Sequence, residues 1–215
     1  MRKNKNFRQP KRSESVISFV VDGKCEYWYL QKWKECENLK INLKPKLPKT
    51  KDLKSQFNLA VELSEESEKV FWVIDFDTIL EETRKAAKGT KTTLQEFQEL
   101  YDECTKNEKN EKIVIIVNNP CLEYWFLLHF KSTSKFYATY EPNLKKDLQK
   151  FLSDYEKTEK YYKNQRLNIY ERLKPNLQTA ISNSEKLGEF DFSKIQVEGI
   201  AEMYKIFNEL KIVEK

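Results

Sequence analysis

Three short runs of β-branched and aromatic residues constrain this chain more than anything else in it. VISFVV at 16–21, VFWVI at 70–74 and IVIIV at 113–117 are continuous rather than alternating. That is the pattern of strands buried on both faces. Each run stops at polar residues: Asp22-Gly23, Asp75-Phe76-Asp77 and Asn118-Asn119-Pro120. Between and after them apolar residues recur at helical spacing: Tyr27, Trp28, Leu30 and Trp33, then Leu53, Phe57, Ala60, Val61 and Leu63, then Leu94, Phe97 and Tyr101. The segment Leu122 to Phe130 follows Pro120, which suits a helix start. Thr50 or Asp52 is placed to cap the second of these helices and Thr92 or Thr93 the third, and Ile41-Asn42-Leu43 reads as a short strand.

This alternation predicts an α/β fold, a mostly parallel sheet flanked by helices. Strand signals stop after residue 131, and 141–173, 175–188 and 197–210 read as helices. The expected organisation is a basic arm at 1–12, an α/β core at 13–130 and a helical extension at 131–215 packed on that core.

Composition narrows the function classes. Four Gly in 215 residues leave no room for a glycine-rich nucleotide loop, and no Walker motif is present. No apolar run approaches a membrane span, and MRKNKNFRQPKR lacks the apolar centre of a secretory signal. The expected location is therefore cytoplasmic, with no membrane partner. Four Cys without a CxxC pair and a single His argue against zinc, and the cysteines read as buried free thiols.

The net charge of +5 is the remainder of larger local terms. Residues 1–12 carry six basic side chains and no acid, residues 40–54 carry six Lys, and residues 131–174 carry eleven basic residues against six acids. The arm is either a solvated tail or a nucleic-acid contact. Lys157, Lys160, Lys163 and Arg166, interleaved with Tyr155, Tyr161 and Tyr162, either line a groove that tracks a phosphate backbone or form a solvated face.

In a parallel α/β sheet ligands bind outside the carboxyl ends of the strands. Asp22 stands at one such end, Asp75 and Asp77 at another. In an extended segment, residues two apart face the same way, which would bring Asp75 and Asp77 to one cation. Glu26, in the first helical turn after Gly23, is placed to add a carboxylate. Gly23 permits a tight turn that brings Lys24 and the helix start to the same place. Hard oxygen ligands suit Mg²⁺ or Mn²⁺. The bland reading is that these acids are caps and turn formers. Glu123 either caps the helix after Pro120 or reaches the metal region. His129, among Leu127, Leu128 and Phe130, reads as a hydrogen-bonded core histidine or a catalyst.

Together VVDGKCE, VIDFDT and NNPCLEYWFLLHF resemble the RloB-like proteins, bacterial proteins of restriction and abortive-infection loci related to the Toprim fold of topoisomerases, primases and overcoming-lysogenisation-defect nucleases. The first two motifs are generic to Toprim domains, and the third is the specific one. The resemblance spans roughly residues 15–210. It implies a Toprim-like core and a metal-dependent nuclease of antiphage defence, cutting DNA or RNA beside an AAA-type or ABC-type ATPase encoded nearby. It also implies that Asp22, Glu26, Asp75 and Asp77 hold Mg²⁺ or Mn²⁺, with Lys24, Glu123 and His129 as further catalytic candidates. Asp22 stands where the Toprim pattern has Glu and reaches roughly 1.5 Å less far; Glu26 matches that motif's second acid. The alternative is a catalytically weak or inactive Toprim-like module that binds nucleic acid or a protein partner.

Overall fold

The computed structural model describes residues 16–44 and 52–210. The basic arm at 1–12 and residues 45–51 of the lysine-rich stretch, with the cap candidate Thr50, lie outside the described residues.

The first apolar run forms strand β1 (Ile17–Val21), followed by helix α1 (Lys24–Cys36), strand β2 (Ile41–Leu43) and helix α2 (Leu53–Glu66). Asp52 caps α2, its carboxylate accepting from Ser55 N at 2.8 Å. Strand β3 (Lys69–Asp75) leads directly into helix α3 (Phe76–Lys85). Helix α4 (Thr93–Lys106) opens on a capping box of Thr92 and Gln95, followed by strand β4 (Ile113–Asn119) and helix α5 (Leu122–Leu128).

The sheet order is β2-β1-β3-β4, with these four strands parallel, and a short β5 (Ile200–Ala201) pairs antiparallel to β4 at the far edge. Both faces are covered, as the continuous apolar runs require. Phe19, Val21, Phe71, Val73 and Ile116 pack toward α1, α5 and the C-terminal helices. Val20, Val70, Trp72, Ile74, Ile115 and Val117 pack toward α2, α3 and α4.

The C-terminal part departs from the long helices expected of it. Residues 141–173 break into a wide turn at Tyr140–Leu144 and helices α6 (Lys145–Leu148), α7 (Glu159–Tyr162) and α8 (Ile169–Leu173). Thr158 and Asn168 cause two of the breaks by turning their side chains to the backbone amides of Tyr161 and Glu171. Such side chains compete with helix continuation. Helix α9 (Leu177–Glu185) follows. The expected helix at 197–210 begins only at Met203, as α10 (Met203–Glu209), because Ile200 and Ala201 join the sheet. Residues 131–210 thus supply a strand of the sheet and share one apolar core with α1 and α5. The cysteines are all free, but Cys36 is exposed and only Cys104 and Cys121 are buried. Among the described residues, no helix is long and apolar enough to cross a membrane.

Candidate functional site

The strand order fixes where a ligand pocket belongs. From β1 the chain moves outward to β2, then returns to the other side of β1 to form β3 and β4. The switch between those directions lies between the carboxyl ends of β1 and β3, where the diverging connections leave a crevice. Asp22 follows β1 directly and Asp75 is the last residue of β3.

Asp75 and Asp77 do not project from one extended segment. Asp75 ends the strand and Asp77 lies in the first turn of α3. Asp75 Oδ1 accepts from Leu122 N, the first amide of α5, at 3.0 Å. Asp77 N donates to the Pro120 carbonyl at 2.9 Å. These two bonds clamp the end of β3 to the Asn119–Pro120 turn. The carboxylate serving the start of α5 is therefore that of Asp75, and Glu123 is not the cap.

Glu26 lies in the first turn of α1 and is 3% exposed. Burial, then the neighbouring charges of Asp22 and Glu123, raise its pKa; a backbone hydrogen bond and, less strongly, a hydrogen bond with Asp75 partly offset them. Burial, then Glu26, Asp77 and Glu123, raise Asp75 in turn. A hydrogen bond between two carboxyls needs a proton, so this pair titrates as a unit. Asp77 is pushed up to about 6, chiefly by burial, with Lys157 pulling the other way. Asp22, 9% exposed, acts on both Glu26 and Asp77. Asp22, Glu26, Asp75, Asp77 and Glu123 therefore form one electrostatic cluster.

Glu123 is fully buried and turns away from the helix start. Its Oε1 accepts from Tyr155 OH at 2.6 Å and Tyr162 OH at 3.3 Å, while Oε2 pairs with Lys157 Nζ at 2.8 Å. The Lys157 ammonium also lies 4.1 Å from the centroid of the Tyr140 ring. Burial works against its charge, but Glu123, Cys121 and Asp75 hold its pKa above that of an ordinary lysine. The breaks in the 141–173 segment thus deliver a cation to the acids. Sequence reasoning left Lys157 between a phosphate-tracking groove and a solvated face, and the structure pairs it with Glu123 instead; its spacing from Tyr155 and Tyr162 carried no sign of that partner. Tyr155, Tyr161 and Tyr162 are buried and offer no stacking surface to a base.

Two candidates stand apart from the cluster. Lys24 is exposed. His129 is 1% exposed, with Nδ1 2.9 Å from the Trp125 carbonyl and its ring edge-on to Trp125. Burial pushes its pKa down to about 4, and none of the clustered acids contributes. Its surroundings are those of a neutral core histidine.

The donor set suits a hard divalent cation in chemistry and charge. Asn118, register partner of Asp75, also buries an amide whose oxygen and nitrogen have no hydrogen-bond partner among the described residues. The side chains do not form a preassembled cage: among the described residues, no three His, Cys, Asp or Glu side chains stand together as a metal site. Asp22 and Asp75 are turned to Gln56 and Leu122 N, and Glu26 to Asp75. A cation would be held by turning at least one of these carboxylates inward.

No curated protein and no solved structure matches the chain. Residues 17–210, most of its length, match a family described as RloB-like protein, and the chain belongs to that family.

Proposed function

We propose that this protein is a Mg²⁺- or Mn²⁺-dependent nuclease with a Toprim-type site, cutting DNA or RNA phosphodiesters in antiphage defence. The observation that carries the reading is the cluster of buried, mutually repelling carboxylates at the switch point between β1 and β3. Acids that raise one another's pKa in a crevice mark a site built for a positive partner. Asp22, Glu26, Asp75 and Asp77 would hold the cation, which supplies an activated water and neutralises phosphate charge. Lys157 stands beside the same carboxylates and suits a phosphate oxygen. Tyr155 and Tyr162 hold Glu123, and Glu123 holds Lys157. The family resemblance supports an AAA-type or ABC-type ATPase as partner.

A second reading has an observation of its own. Lys157 already gives the acids a counter-charge, as a catalytically inactive nucleic-acid-binding or protein-binding module would need.

Incubation with single- and double-stranded DNA and RNA, with and without the partner ATPase, separates the two. The nuclease reading expects cleavage that requires Mg²⁺ or Mn²⁺. It also expects an Asp75→Ala/Asp77→Ala variant to lose about 100-fold or more of that rate. Unchanged cleavage by the variant contradicts the assignment of these acids. Binding without turnover on any substrate selects the second reading.

A further inference from the structure

Asp22 is held by a residue that no sequence motif singles out. Gln56, on α2 and 3% exposed, donates from Nε2 to Asp22 Oδ1 at 3.0 Å. Its Oε1 accepts from Trp72 Nε1, in the fully buried middle of β3, at 2.8 Å. An amide can present either its oxygen or its NH₂ to a neighbour, but an indole N–H only donates. Trp72 therefore takes the amide oxygen and leaves the NH₂ for the carboxylate. The two bonds run in one direction, from the sheet interior to the strand end, and neither works with the amide flipped.

We propose that Gln56 is a positioning residue: locked by Trp72, its amide sets the orientation of the Asp22 carboxylate and, through it, the affinity of the acid cluster for a divalent cation. The proposal rests on the metal reading above. Residues that hydrogen-bond to metal ligands from behind change affinity by about 10- to 100-fold when replaced. This matters more for Asp22 than for a glutamate, because the shorter side chain has one fewer torsion with which to recover a lost orientation.

The test uses Mn²⁺ alone as probe, with free Mn²⁺ counted by electron paramagnetic resonance, on the full chain and on Gln56→Met, Trp72→Phe and the double variant. Gln56→Met keeps a side chain of similar length and removes both hydrogen bonds of the amide, whereas Trp72→Phe keeps a smaller aromatic ring and removes only the indole donor. Urea unfolding identifies the folded samples. The expected result is Mn²⁺ affinity about tenfold or more weaker in Gln56→Met and weaker in Trp72→Phe, with the double variant no weaker than Gln56→Met. If Gln56→Met does not fold, Trp72→Phe alone decides, since it leaves Gln56 present but without the indole donor that fixes its amide oxygen. Wild-type affinity in the folded variants overturns the assignment of Gln56 and leaves the metal site standing. Fully additive losses in the double variant overturn the coupling through Trp72. A wild-type protein that binds no Mn²⁺ overturns the metal reading and this assignment with it.

Discussion

Gly23 adopts φ −140° and ψ −177°, an extended conformation open to any residue, so backbone freedom is not what the position needs. Space is: a Cβ there would stand 2.7 Å from Glu26 Oε2. The sequence expectation of a tight turn named the right residue for a different reason, because a close approach between side chains leaves no local signature. Gly23→Ala should displace the tip of the Glu26 side chain, which can swing, and leave the backbone where it is. The expected result is a change in unfolding free energy below about 1 kcal/mol and a fall of about tenfold in Mn²⁺ affinity. Urea unfolding beside an Mn²⁺ titration reads both, and unchanged affinity contradicts the placement of Glu26 in the site. Asp22, Glu26, Asp75 and Asp77 were legible from their places after strand runs. Gln56 and the role of Lys157 were not, since each acts across 34 residues of chain, Gln56 on Asp22 and Lys157 on Glu123.

At the scale of elements, β1, β3, β4 and α1, α2, α4 and α5 were legible because their apolar periodicity is carried by the chain itself. Helix α3 was missed although Phe76, Ile79 and Leu80 bury one face at helical spacing. Reading Asp75-Phe76-Asp77 as extended hid its start. Strand β5 was missed for a different reason: two residues pair with β4 only through tertiary contacts. Glu202 secures that pairing. Its Oε2 accepts from Val117 N and its Oε1 from Phe190 N, each at 3.0 Å, and Lys205 Nζ lies 2.8 Å from Oε1. A buried carboxylate thus takes the place of a strand partner for Val117. Glu202→Ala would strand two buried amides, those of Val117 and Phe190, at a cost of about 3 kcal/mol or more in unfolding free energy. Chemical denaturation measures it, and a loss below about 1 kcal/mol would show that β5 does not depend on this side chain.

For the whole molecule, the basic residues visible in the sequence matter less as a total than in where one of them ends up. Lys157 neutralises part of a cluster that otherwise opposes folding at neutral pH. An acid whose pKa is raised in the folded state stabilises below its unfolded pKa, and that contribution is lost as pH rises through the folded value. For Asp77 the window runs from 3.8 to about 6, set chiefly by burial, with Lys157 lowering and Glu123 and Asp22 raising its pKa. His129 has the opposite sign: its contribution is present above 6.5 and lost as pH falls toward about 4. Comparing wild type with Asp77→Asn cancels His129. In EDTA the variant should be more stable by about 1–2 kcal/mol at pH 8, after allowance for partial exposure, and no more stable near pH 4. A variant less stable at pH 8 would contradict a net cost of burying the Asp77 charge. The central claim, that the carboxylates at the β1/β3 switch hold a divalent cation, is tested most directly by anomalous diffraction from Mn²⁺-soaked crystals. The account expects manganese within about 2.1 Å of carboxylate oxygens from among Asp22, Glu26, Asp75 and Asp77. Manganese absent from this crevice at saturating concentration, with the four side chains still bonded to their internal partners, would contradict it.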